Sequence, residues 1–431
     1  MKISIIGTGY VGLGVGVCLA DLGHKVTCLD IDENKIKKLK LAQPTIHEER
    51  LPQLLKKNLS RGGLFFTTNY NEAVKDAEVI FLAVGTPQKK DGQAELKYLK
   101  QALIAIAKRL EKYTVIVNKS TVPVGTGKMS RELIAKYYKG KFSIVSNPEF
   151  QREGTAIDDF LRPDRIVLGF EEENSPAVVI MKKLYAKIKA PSLLTNLESA
   201  EMIKYAANAF LATKISFINE IANICDSNEA DIKMVARGMG MDTRIGEKFL
   251  VAGLGYGGSC FPKDVSALYK IAGANGYWFQ LLEAVININK KQSQRVIMKV
   301  KQLLGRDLKD NQIAIFGLAF KAGTDDVRES PAIDVIKQLL KLGAKVIAFD
   351  PEAQFNAKKI LGDRITYART MNDALRNSEA LIIATEWPQF ARVSPQRVKY
   401  LMKLPNIIDG RNLLDPARFK QAGFNYLGIG R

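Results

Sequence analysis

The chain has 431 residues, more than one hydrophobic core usually serves, so we expect more than one domain. Its 46% hydrophobic and 25% charged residues are typical of a globular protein, and no run of about 18 apolar residues predicts a membrane span. The net charge of +19 would suit a nucleic-acid partner, but the lysines are spread over helical stretches such as 35–40 and 182–189, without interleaved aromatic residues. We therefore expect a basic surface that favours anionic substrates, and neither nucleic acid nor a membrane as a partner.

The N-terminus and the cysteines indicate a cytoplasmic protein. Met1 runs directly into an apolar strand and a glycine turn, which leaves no room for a signal peptide. Cys18, Cys28, Cys225 and Cys260 show neither metal-ligand spacing nor the density of a disulfide framework. The sequence therefore predicts a cytoplasmic chain without a metal site.

The first thirty residues carry the pattern of a dinucleotide site. An apolar strand at 3–6 is followed directly by Gly7, Gly9 and Gly12, then by an apolar helix and a second strand that ends on Asp30. Glycines in this spacing let a helix N-terminus approach a pyrophosphate, and the acid binds the ribose hydroxyls. A carboxylate at position 30 would repel a 2′-phosphate, so the pattern predicts NAD rather than NADP. The alternative is a purely structural turn.

Further strands are predicted at 79–84, 115–117, 143–145 and 166–168, each followed by a polar or Gly/Pro turn. In an open parallel sheet the carboxyl ends of the strands line the ligand crevice. We expect polar residues of these turns to face that crevice, although each could instead be a turn or cap residue. They are Thr86, Thr121, Glu149 and Glu153.

A long helix is predicted over 197–227, where Pro and Gly are absent and apolar residues recur at helical spacing. Such a helix must be covered on two sides, so we expect it to join domains or to pack against a second subunit. Lys204 and Asn208 lie on one of its faces, where a lysine among apolar neighbours could stabilise an oxyanion; an exposed lysine is the alternative. The two apolar stripes are Ile203, Ala207, Phe210, Phe217, Ile221 and Ile224, and Leu211, Ile215, Ile218 and Ala222.

The segment 253–264 combines four glycines with Cys260, Lys263 and Asp264. Glycine lets a ligand approach the main chain, a lysine charge stabilises a thiolate, and an aspartate one helical turn further on could assist proton transfer. The alternative is a glycine-rich turn before a helix, with a buried cysteine. His24 lies away from the expected crevice edge and His47 lies in a polar loop, so we do not expect a histidine base.

The last third repeats the first. A strand at 312–316 leads into Gly317, and the stretch 341–350 parallels 21–30, down to an aspartate at the end. Leu318 and Ala319 follow where further glycine would be needed, so we expect this unit to bind a different nucleotide from the side, through Lys321, Arg328 and Arg411. A charge-lined surface loop is the alternative.

These observations predict an α/β fold in which two Rossmann-like, doubly wound domains are joined by a long central helix. The predicted divisions are an NAD-binding domain at 1–196, a central helical region with the cysteine loop at 197–300, and a nucleotide-sugar domain at 301–431.

Motifs along nearly the whole chain resemble the UDP-glucose/GDP-mannose dehydrogenase family, in the family's order. Within the family, Asp-Thr-Arg-Ile-Gly at 242–246 and Thr-Glu-Trp at 385–387 most resemble the members that oxidise UDP-glucose. The other motifs are the glycine turn at 7–12, Lys-Ser-Thr-Val-Pro-Val-Gly at 119–125, Asn-Pro-Glu-Phe at 147–150 with Gly154, Arg-Pro-Asp-Arg at 162–165, Gly-Gly-Ser-Cys-Phe-Pro-Lys-Asp at 257–264, and 317–321 with Arg-Glu-Ser-Pro at 328–331.

The resemblance implies an NAD-dependent, four-electron oxidation in which UDP-glucose, two NAD and water give UDP-glucuronate and two NADH. Cys260 would attack the C6 aldehyde, a second hydride would leave, and the resulting thioester would be hydrolysed. Lys204 and Asn208 would stabilise the oxyanion or position water, and Asp264 would assist proton transfer. Thr121, Glu149 and Glu153 would hold water, substrate or cofactor.

The resemblance also implies the binding residues. Arg244 would reach the substrate of a neighbouring subunit, and the long helix would form the core of a homodimer. The implied NAD contacts are Gly7, Gly9, Val11, Gly12, Asp30, Lys35, Thr86, Thr121, Glu153, Lys263 and Arg328. The implied substrate contacts are Glu149, Phe150, Gln151, Arg152, Glu153, Lys204, Asn208, Phe249, Leu250, Val251, Ala252, Gly253, Gly257, Lys321 and Arg411.

Two segments depart from the family pattern. Thr-Ile-His-Glu-Glu-Arg at 45–50 stands where the family shows Tyr-Glu-Pro-Gly, and Val15-Gly16 is unusual in the first helix. Both could alter the loop on the cofactor side, and neither touches the thiol.

Alternative functions stay open at this point. GDP-mannose 6-dehydrogenase and UDP-N-acetylhexosamine dehydrogenases share the chemistry and differ in the sugar nucleotide. A two-electron hydroxyacid dehydrogenase would need no thiol, so a Cys260→Ala variant would stay active. A basic nucleic-acid-binding protein with a vestigial cofactor fold would retain DNA without binding NAD.

Overall fold

Short apolar runs form the strands of two sheets in the computed structural model, which describes residues 1–89 and 92–431. The chain divides into two compact units, a first unit of Met1–Ala207 and a second unit of Asn208–Arg431. The border falls inside one long helix, so this helix joins the two parallel-sheet domains. The three-part division at 196 and 300 remains a prediction.

The first unit holds eight strands among the described residues, and its helices alternate with them along the chain. The strands are β1 (Lys2–Ile6), β2 (Lys25–Leu29), β3 (Leu64–Thr67), β4 (Val79–Leu82), β5 (Thr114–Asn118), β6 (Phe142–Ser146), β7 (Ile166–Phe170) and β8 (Ser192–Asn196). The helices are α1 (Tyr10–Asp21), α2 (Glu33–Lys40), α3 (Leu51–Ser60), α4 (Tyr70–Val74), α5 (Lys97–Ala107), α6 (Thr126–Tyr137), α7 (Ala156–Leu161) and α8 (Pro176–Tyr185), followed by the joining helix α9 (Leu197–Asn228).

The eight strands form one sheet in the order β3-β2-β1-β4-β5-β6-β7-β8. The side chains of a central strand pack into two different hydrophobic clusters, one on each face of the sheet. In β1, Ile3 and Ile5 pack with α1, α2, α3, α7 and α8, whereas Ile6 packs with α4 and α5. Helices therefore cover both faces, which is the doubly wound arrangement. One expectation is wrong: β7 pairs antiparallel with β6, so its carboxyl end does not share the edge at which β1 and β4–β6 end.

The second unit contains the remaining elements. Its strands are β9 (Gln312–Phe316), β10 (Lys345–Phe349), β11 (Thr366–Tyr367), β12 (Ala380–Ile383), β13 (Asn406–Asp409) and β14 (Asn425–Gly428). Its helices are α10 (Ile232–Gly240), α11 (Phe261–Ala274), α12 (Gln280–Leu304), α13 (Pro331–Lys341), α14 (Gln354–Leu361), α15 (Met371–Leu375), α16 (Pro388–Ala391), α17 (Pro395–Leu401) and α18 (Pro416–Gln421).

The sheet of the second unit is parallel in the order β11-β10-β9-β12-β13-β14 and is also covered on both faces. Ile313 and Ile315 pack against α9, α12 and α13, whereas Ala314 and Phe316 pack against α15–α18. The internal repeat thus corresponds to a second Rossmann-like domain.

Helix α9 presents different residues to the core than its apolar pattern suggests. In the second unit its buried side includes Asn208, Ser216 and Asn219, while Phe210 and Phe217 of the first predicted stripe are 66% and 49% exposed. Within the described part of the chain, no helix is both long enough and apolar enough to cross a membrane.

Candidate active site

The glycine turn after β1 has the geometry that a pyrophosphate site needs. Gly7 has φ +101, and a Cβ there would lie 2.6 Å from the carbonyl oxygen of Ala83; a Cβ at Gly12 would lie 1.9 Å from that of Gly7. A Cβ at Gly9 would meet no described atom within 4 Å, so this position leaves room for a ligand at the start of α1. Val11 lies in the first turn of α1. The turn therefore fits the diphosphate of NAD.

Asp30, at the end of β2, is held toward this turn. Its Oδ2 accepts hydrogen bonds from Thr8 N (2.9 Å) and Thr8 Oγ1 (2.7 Å), and its Oδ1 accepts from Asp32 N (3.1 Å). Lys35 Nζ lies 4.0 Å from Oδ2. Burial raises the pKa of Asp30, but these hydrogen bonds and the Lys35 charge outweigh it, so the pKa lies below its ordinary value. An ionised carboxylate here suits ribose hydroxyls and repels a 2′-phosphate.

Thr86 and Thr121 lie together beyond the ends of β4 and β5. The hydroxyl of Thr86 donates to the carbonyl of Thr121 at 2.8 Å, and Ser120 Oγ donates to the carbonyl of Val84 at 2.7 Å. These bonds tie the two strand-end loops to each other, and the position of Thr86 and Thr121 beside a ligand stays a prediction.

A buried charged cluster lies at the ends of β5 and β6, and sequence reasoning recognised only part of it. Lys204 Nζ lies 2.9 Å from Glu149 Oε1, with both side chains 4% exposed. Lys119, which we did not single out, donates to Asn147 Oδ1 at 3.0 Å, and Tyr185 OH donates to the same oxygen at 2.6 Å. Burial lowers the pKa of Lys119 to about 8, with the Glu149 charge opposing and the Lys204 charge reinforcing the effect. A lysine directly after a buried strand was the signal available.

The loop that follows Glu149 is fixed by charged contacts. Glu149 Oε2 accepts from Gln151 N at 2.6 Å, and Arg152 forms a two-pronged ion pair with Asp159, at 2.6 and 3.1 Å. Phe150 lies beneath two cations, Arg165 at 4.0 Å and Lys204 at 5.5 Å from its ring centre. Gln151 and the half-buried Glu153 complete the loop.

The segment 45–50, which departs from the family pattern, contacts this same region of the chain. Glu48 is 5% exposed and accepts hydrogen bonds from Gly154 N (2.8 Å) and Ala156 N, and Arg50 pairs with Asp158. Gly16, the other departure, brings α1 close to the sheet, because a Cβ there would lie 2.5 Å from Cys28 Sγ.

Glu201 is a second buried residue that sequence reasoning missed. It lies on α9 one turn before Lys204, is 3% exposed, and accepts from Gly125 N (2.7 Å), Gly127 N (2.8 Å) and Ser146 Oγ (3.0 Å). Burial raises its pKa, against the effect of these donors. One carboxylate thus ties α9 to the start of α6 and to the end of β6.

In the second unit, Cys260 stands immediately before α11. It is half-buried, whereas Cys18, Cys28 and Cys225 are buried, and burial raises the pKa of each of those three thiols. Ser259 Oγ lies 3.5 Å from Cys260 Sγ. A helix N-terminus stabilises a thiolate, so Cys260 is the cysteine suited to nucleophilic chemistry.

Asp264 lies one helical turn beyond Cys260, and its amide N donates to the Cys260 carbonyl at 2.8 Å. Its carboxylate is fully buried, with Oδ1 2.6 Å from Lys263 Nζ and Oδ2 accepting from Asn208 Nδ2 at 2.6 Å. The structure therefore brings Asn208, Lys263 and Asp264 into one contact network.

The glycines of 253–258 are required by the protein's own chain. A Cβ at Gly257 would lie 2.1 Å from the carbonyl oxygen of Glu329, and one at Gly258 would lie 2.7 Å from the Phe320 ring. The approach of a ligand to the main chain at these glycines stays a prediction. The residues before them span 249–252, where Phe249 has a positive φ of +66 and Val251 is 71% exposed, while Leu250 and Ala252 are buried. A positive φ on a bulky residue stores backbone strain, which is common at functional sites.

The three cationic residues expected to bind a nucleotide from the side, Lys321, Arg328 and Arg411, differ in their contacts and in their exposure. Arg411 donates to the carbonyls of Ala384 and Phe320, both at 2.9 Å, and its side chain is 14% exposed. Arg328 forms a bidentate ion pair with Asp326, with N···O distances of 2.6–3.0 Å, and its side chain is 55% exposed. Lys321 lies over the Phe320 ring at 5.6 Å. Arg244 pairs with Asp242 and is 88% exposed, which leaves it accessible.

The glycine turn of the second unit differs from that of the first. Asp350, the counterpart of Asp30, is 1% exposed and accepts from Leu318 N and Ala319 N, at 2.7 and 3.1 Å. The amides that would face a pyrophosphate are therefore used within the protein. That the second unit lacks a dinucleotide site of the first type stays a prediction.

Comparisons with known proteins cover nearly the whole chain. Three models of the UDP-glucose/GDP-mannose dehydrogenase family match: its NAD binding domain at residues 1–189, its central domain at 198–291 and its UDP binding domain at 314–416. The UDP-glucose 6-dehydrogenase TuaD of Bacillus subtilis is 49% identical, with 100% of this chain and 93% of the relative covered.

Solved structures are similar over the same extent. A UDP-glucose dehydrogenase from the hyperthermophilic archaeon Pyrobaculum islandicum matches with a TM-score of 0.93 and 37% identity, covering 100% of this chain and 97% of that one. A UDP-D-ManNAc dehydrogenase from Pyrococcus horikoshii matches with a TM-score of 0.89 and 27% identity, covering 100% and 99%.

Proposed function

This chain belongs to the UDP-glucose/GDP-mannose dehydrogenase family, and we propose that it oxidises UDP-glucose to UDP-glucuronate. It is an enzyme, and its cofactor is NAD. The observation that carries the proposal is the full-length match, at 49% identity, with a UDP-glucose 6-dehydrogenase. The lower identity of 27% with a UDP-D-ManNAc dehydrogenase favours UDP-glucose over an N-acetylhexosamine as the sugar.

Cys260 is proposed as the nucleophile that makes the second oxidation possible. Its thiolate adds to the C6 aldehyde of the sugar and forms a C–S bond as the C=O π bond opens, giving the oxyanion of a thiohemiacetal. Loss of hydride from that adduct gives a thioester, and water then cleaves the C–S bond to release the carboxylate and return the thiolate. When bound, NAD accepts one hydride in each of the two oxidations.

The neighbouring side chains are proposed to support these steps by charge and position. Lys204, paired with Glu149, supplies a buried ammonium for a developing oxyanion. The Asn208 amide donates a hydrogen bond to the Asp264 carboxylate at 2.6 Å, and this bond holds both side chains in position. Thr121 and Glu149 orient water or the sugar hydroxyl.

The cofactor and the substrate are assigned to two sets of residues that share only Glu153. Gly7, Gly9, Gly12 and Asp30 hold the diphosphate and ribose of NAD in this proposal. The further proposed NAD contacts are Val11, Lys35, Thr86, Thr121, Glu153, Lys263 and Arg328. The proposed sugar-nucleotide contacts are residues 149–153, Lys204, Asn208, Arg244, residues 249–253, Gly257, Lys321 and Arg411.

We further propose a homodimer built on α9. Phe210, Phe217 and Ile224 recur every seven residues and are 66%, 49% and 58% exposed in the single chain. An exposed apolar stripe of this kind on a helix favours burial against a second copy. The reducing cytoplasm is the proposed compartment, because the mechanism requires Cys260 as a reduced thiolate.

The decisive experiment counts NADH formed per UDP-glucose consumed. Two NADH per sugar are expected, one would indicate a simple alcohol dehydrogenase, and none would overturn the proposal. Cys260→Ala should yield at most one NADH per sugar, while the matched control Cys225→Ala should retain two. Parallel assays with GDP-mannose and UDP-N-acetylhexosamines test the sister activities.

A further inference from the structure

Three side-chain amides bind the backbone of the segment 253–256. Asn219 on α9 accepts from Gly253 N at 2.8 Å, and Gln292 on α12 donates to Gly253 O at 2.8 Å. Asn289, also on α12, accepts from Tyr256 N at 2.8 Å and donates to Tyr256 O at 3.0 Å. Both backbone polar groups of Gly253 and of Tyr256 are therefore satisfied by side chains of two long helices.

Two of the three amide side chains, those of Asn219 and Gln292, are buried, which contacts to a solvated loop would not require. Asn219 is fully buried and Gln292 is 1% exposed, so packing fixes their side chains. Asn219 Nδ2 has no hydrogen-bond partner among residues 1–89 and 92–431. A buried unpaired donor is unfavourable, and an apolar residue would avoid it. Asn219 is thus positioned for its bond to Gly253 N.

The loop is shaped to receive the amides. Gly255 has φ +102, and a Cβ at that position would lie 2.6 Å from Asn289 Oδ1. Any larger residue would push the Asn289 amide away from Tyr256. The Tyr256 ring in turn packs edge-on against Phe261, with the ring centres 5.9 Å apart, and Phe261 directly follows Cys260. The amide contacts thereby extend to the first residue of α11.

We propose that Asn219, Asn289 and Gln292 form an amide clamp, a set of positioning residues that holds the segment 249–258 in the conformation that binds the sugar nucleotide. The inference rests on the proposed function, because that segment is the proposed binding loop. None of the three needs to touch the substrate. Loss of the clamp should weaken UDP-glucose binding and leave NAD binding unchanged, since the clamp contacts no proposed NAD residue and nine of the eleven, including the glycine turn, lie in the first unit.

The test is calorimetric titration of the full chain with UDP-glucose and, separately, with NAD. Gln292→Met removes one hydrogen bond and should weaken UDP-glucose binding about tenfold; Asn289→Leu removes two and should weaken it about a hundredfold. The matched control is Gln338→Met, which removes an amide bond of 2.9 Å from α13 to Ser293 on α12 and leaves the loop untouched. Its UDP-glucose affinity should equal that of the wild type.

Two further measurements separate positioning from general destabilisation. Hydrogen exchange of peptides covering 250–259 should accelerate in the clamp variants and not in the control. Gly255→Ala changes only the loop, and its methyl group should displace the Asn289 amide while α9 and α12 keep their sequences. It should therefore also weaken UDP-glucose binding without weakening NAD binding, even if a variant in α9 or α12 folds poorly.

The outcomes distinguish the inference from the proposed function. If the wild type does not bind UDP-glucose, the proposed function is overturned and the clamp with it. If the wild type binds and the clamp variants bind as tightly as Gln338→Met, or lose NAD affinity to the same degree, the clamp alone is overturned.

Discussion

Replacing Lys119 by methionine should stabilise the first unit at neutral pH. Lys119 is 6% exposed, and burial lowers its pKa from 10.5 to about 8. A fall of that size corresponds to about 3 kcal/mol against the charged form. Methionine fills similar space without a charge, and losing the 3.0 Å bond to Asn147 Oδ1 costs about 1–2 kcal/mol. The net expectation is a gain of about 1–2 kcal/mol at pH 7.

The pH dependence provides the sharper test. In the unfolded chain Lys119 keeps its ordinary pKa of 10.5, so between pH 8 and 10.5 the unfolded state binds the proton and the folded state does not. Stability of the wild type therefore rises with pH across this window, and the rise is absent from Lys119→Met. The stability advantage of the variant should shrink by about 3 kcal/mol from pH 7 to the upper end of the window.

The assay is urea unfolding of both proteins at several pH values, with hydrogen exchange of β5 and β6 peptides to report on the first unit. Subtracting the unfolding free energy of the wild type from that of the variant at each pH removes the contribution of all other titrating groups. Lys136→Met, at an exposed position of α6, is the control and should show a constant difference. A constant difference for Lys119→Met would refute the reasoning. Activity should fall at least tenfold, because the charge facing Glu149 is lost.

Three further changes test the proposed site and assembly. Asp30→Asn should weaken NAD binding about tenfold to a hundredfold and improve the use of NADP, since Lys35, 4.0 Å from the carboxylate, is then left to attract a 2′-phosphate; an unchanged ratio of the two kcat/KM values would contradict this. Glu201→Gln should lower kcat and destabilise the first unit by about 2 kcal/mol, because an amide cannot accept from both glycine N–H groups; denaturation and steady-state kinetics should change together. Phe217→Glu should give monomers in light scattering after gel filtration, and a persistent dimer would locate the interface elsewhere.

The parts of the fold that the sequence predicted are those with strong local patterns. The strand at 312–316 was placed at its observed bounds, and the helix predicted at 197–227 differs from α9 by one residue at its end. Apolar periodicity and glycine turns depend on neighbours in the chain, so they are visible without the structure.

The parts that the sequence did not predict depend on contacts between distant segments. A buried strand gives the same apolar run in either direction, so the reversal of β7 relative to β6 was not visible. Glu201 resembles any charged residue in the first turns of a helix until Gly125 and Ser146 are brought to it. The apolar stripe that contains Phe217 lies on a helix, as its spacing predicted. The spacing does not show whether such a stripe faces the core or stays exposed in the single chain.

The two aspartates that end the second strand of each Rossmann-like domain show why a repeated pattern predicts fold better than ligand. A carboxylate offers about four acceptor sites. Asp30 accepts bonds from Thr8 and Asp32 and keeps a side chain that is 12% exposed, so it retains capacity for ribose hydroxyls. Asp350 is 1% exposed, and its donors fill the available sites. Those donors are Leu318 N, Ala319 N, Glu352 N, Ala353 N and Trp387 Nε1. The same residue at the same place in the repeat can therefore bind a cofactor in one unit and brace a turn in the other, and what decides between them is how many protein donors already face it.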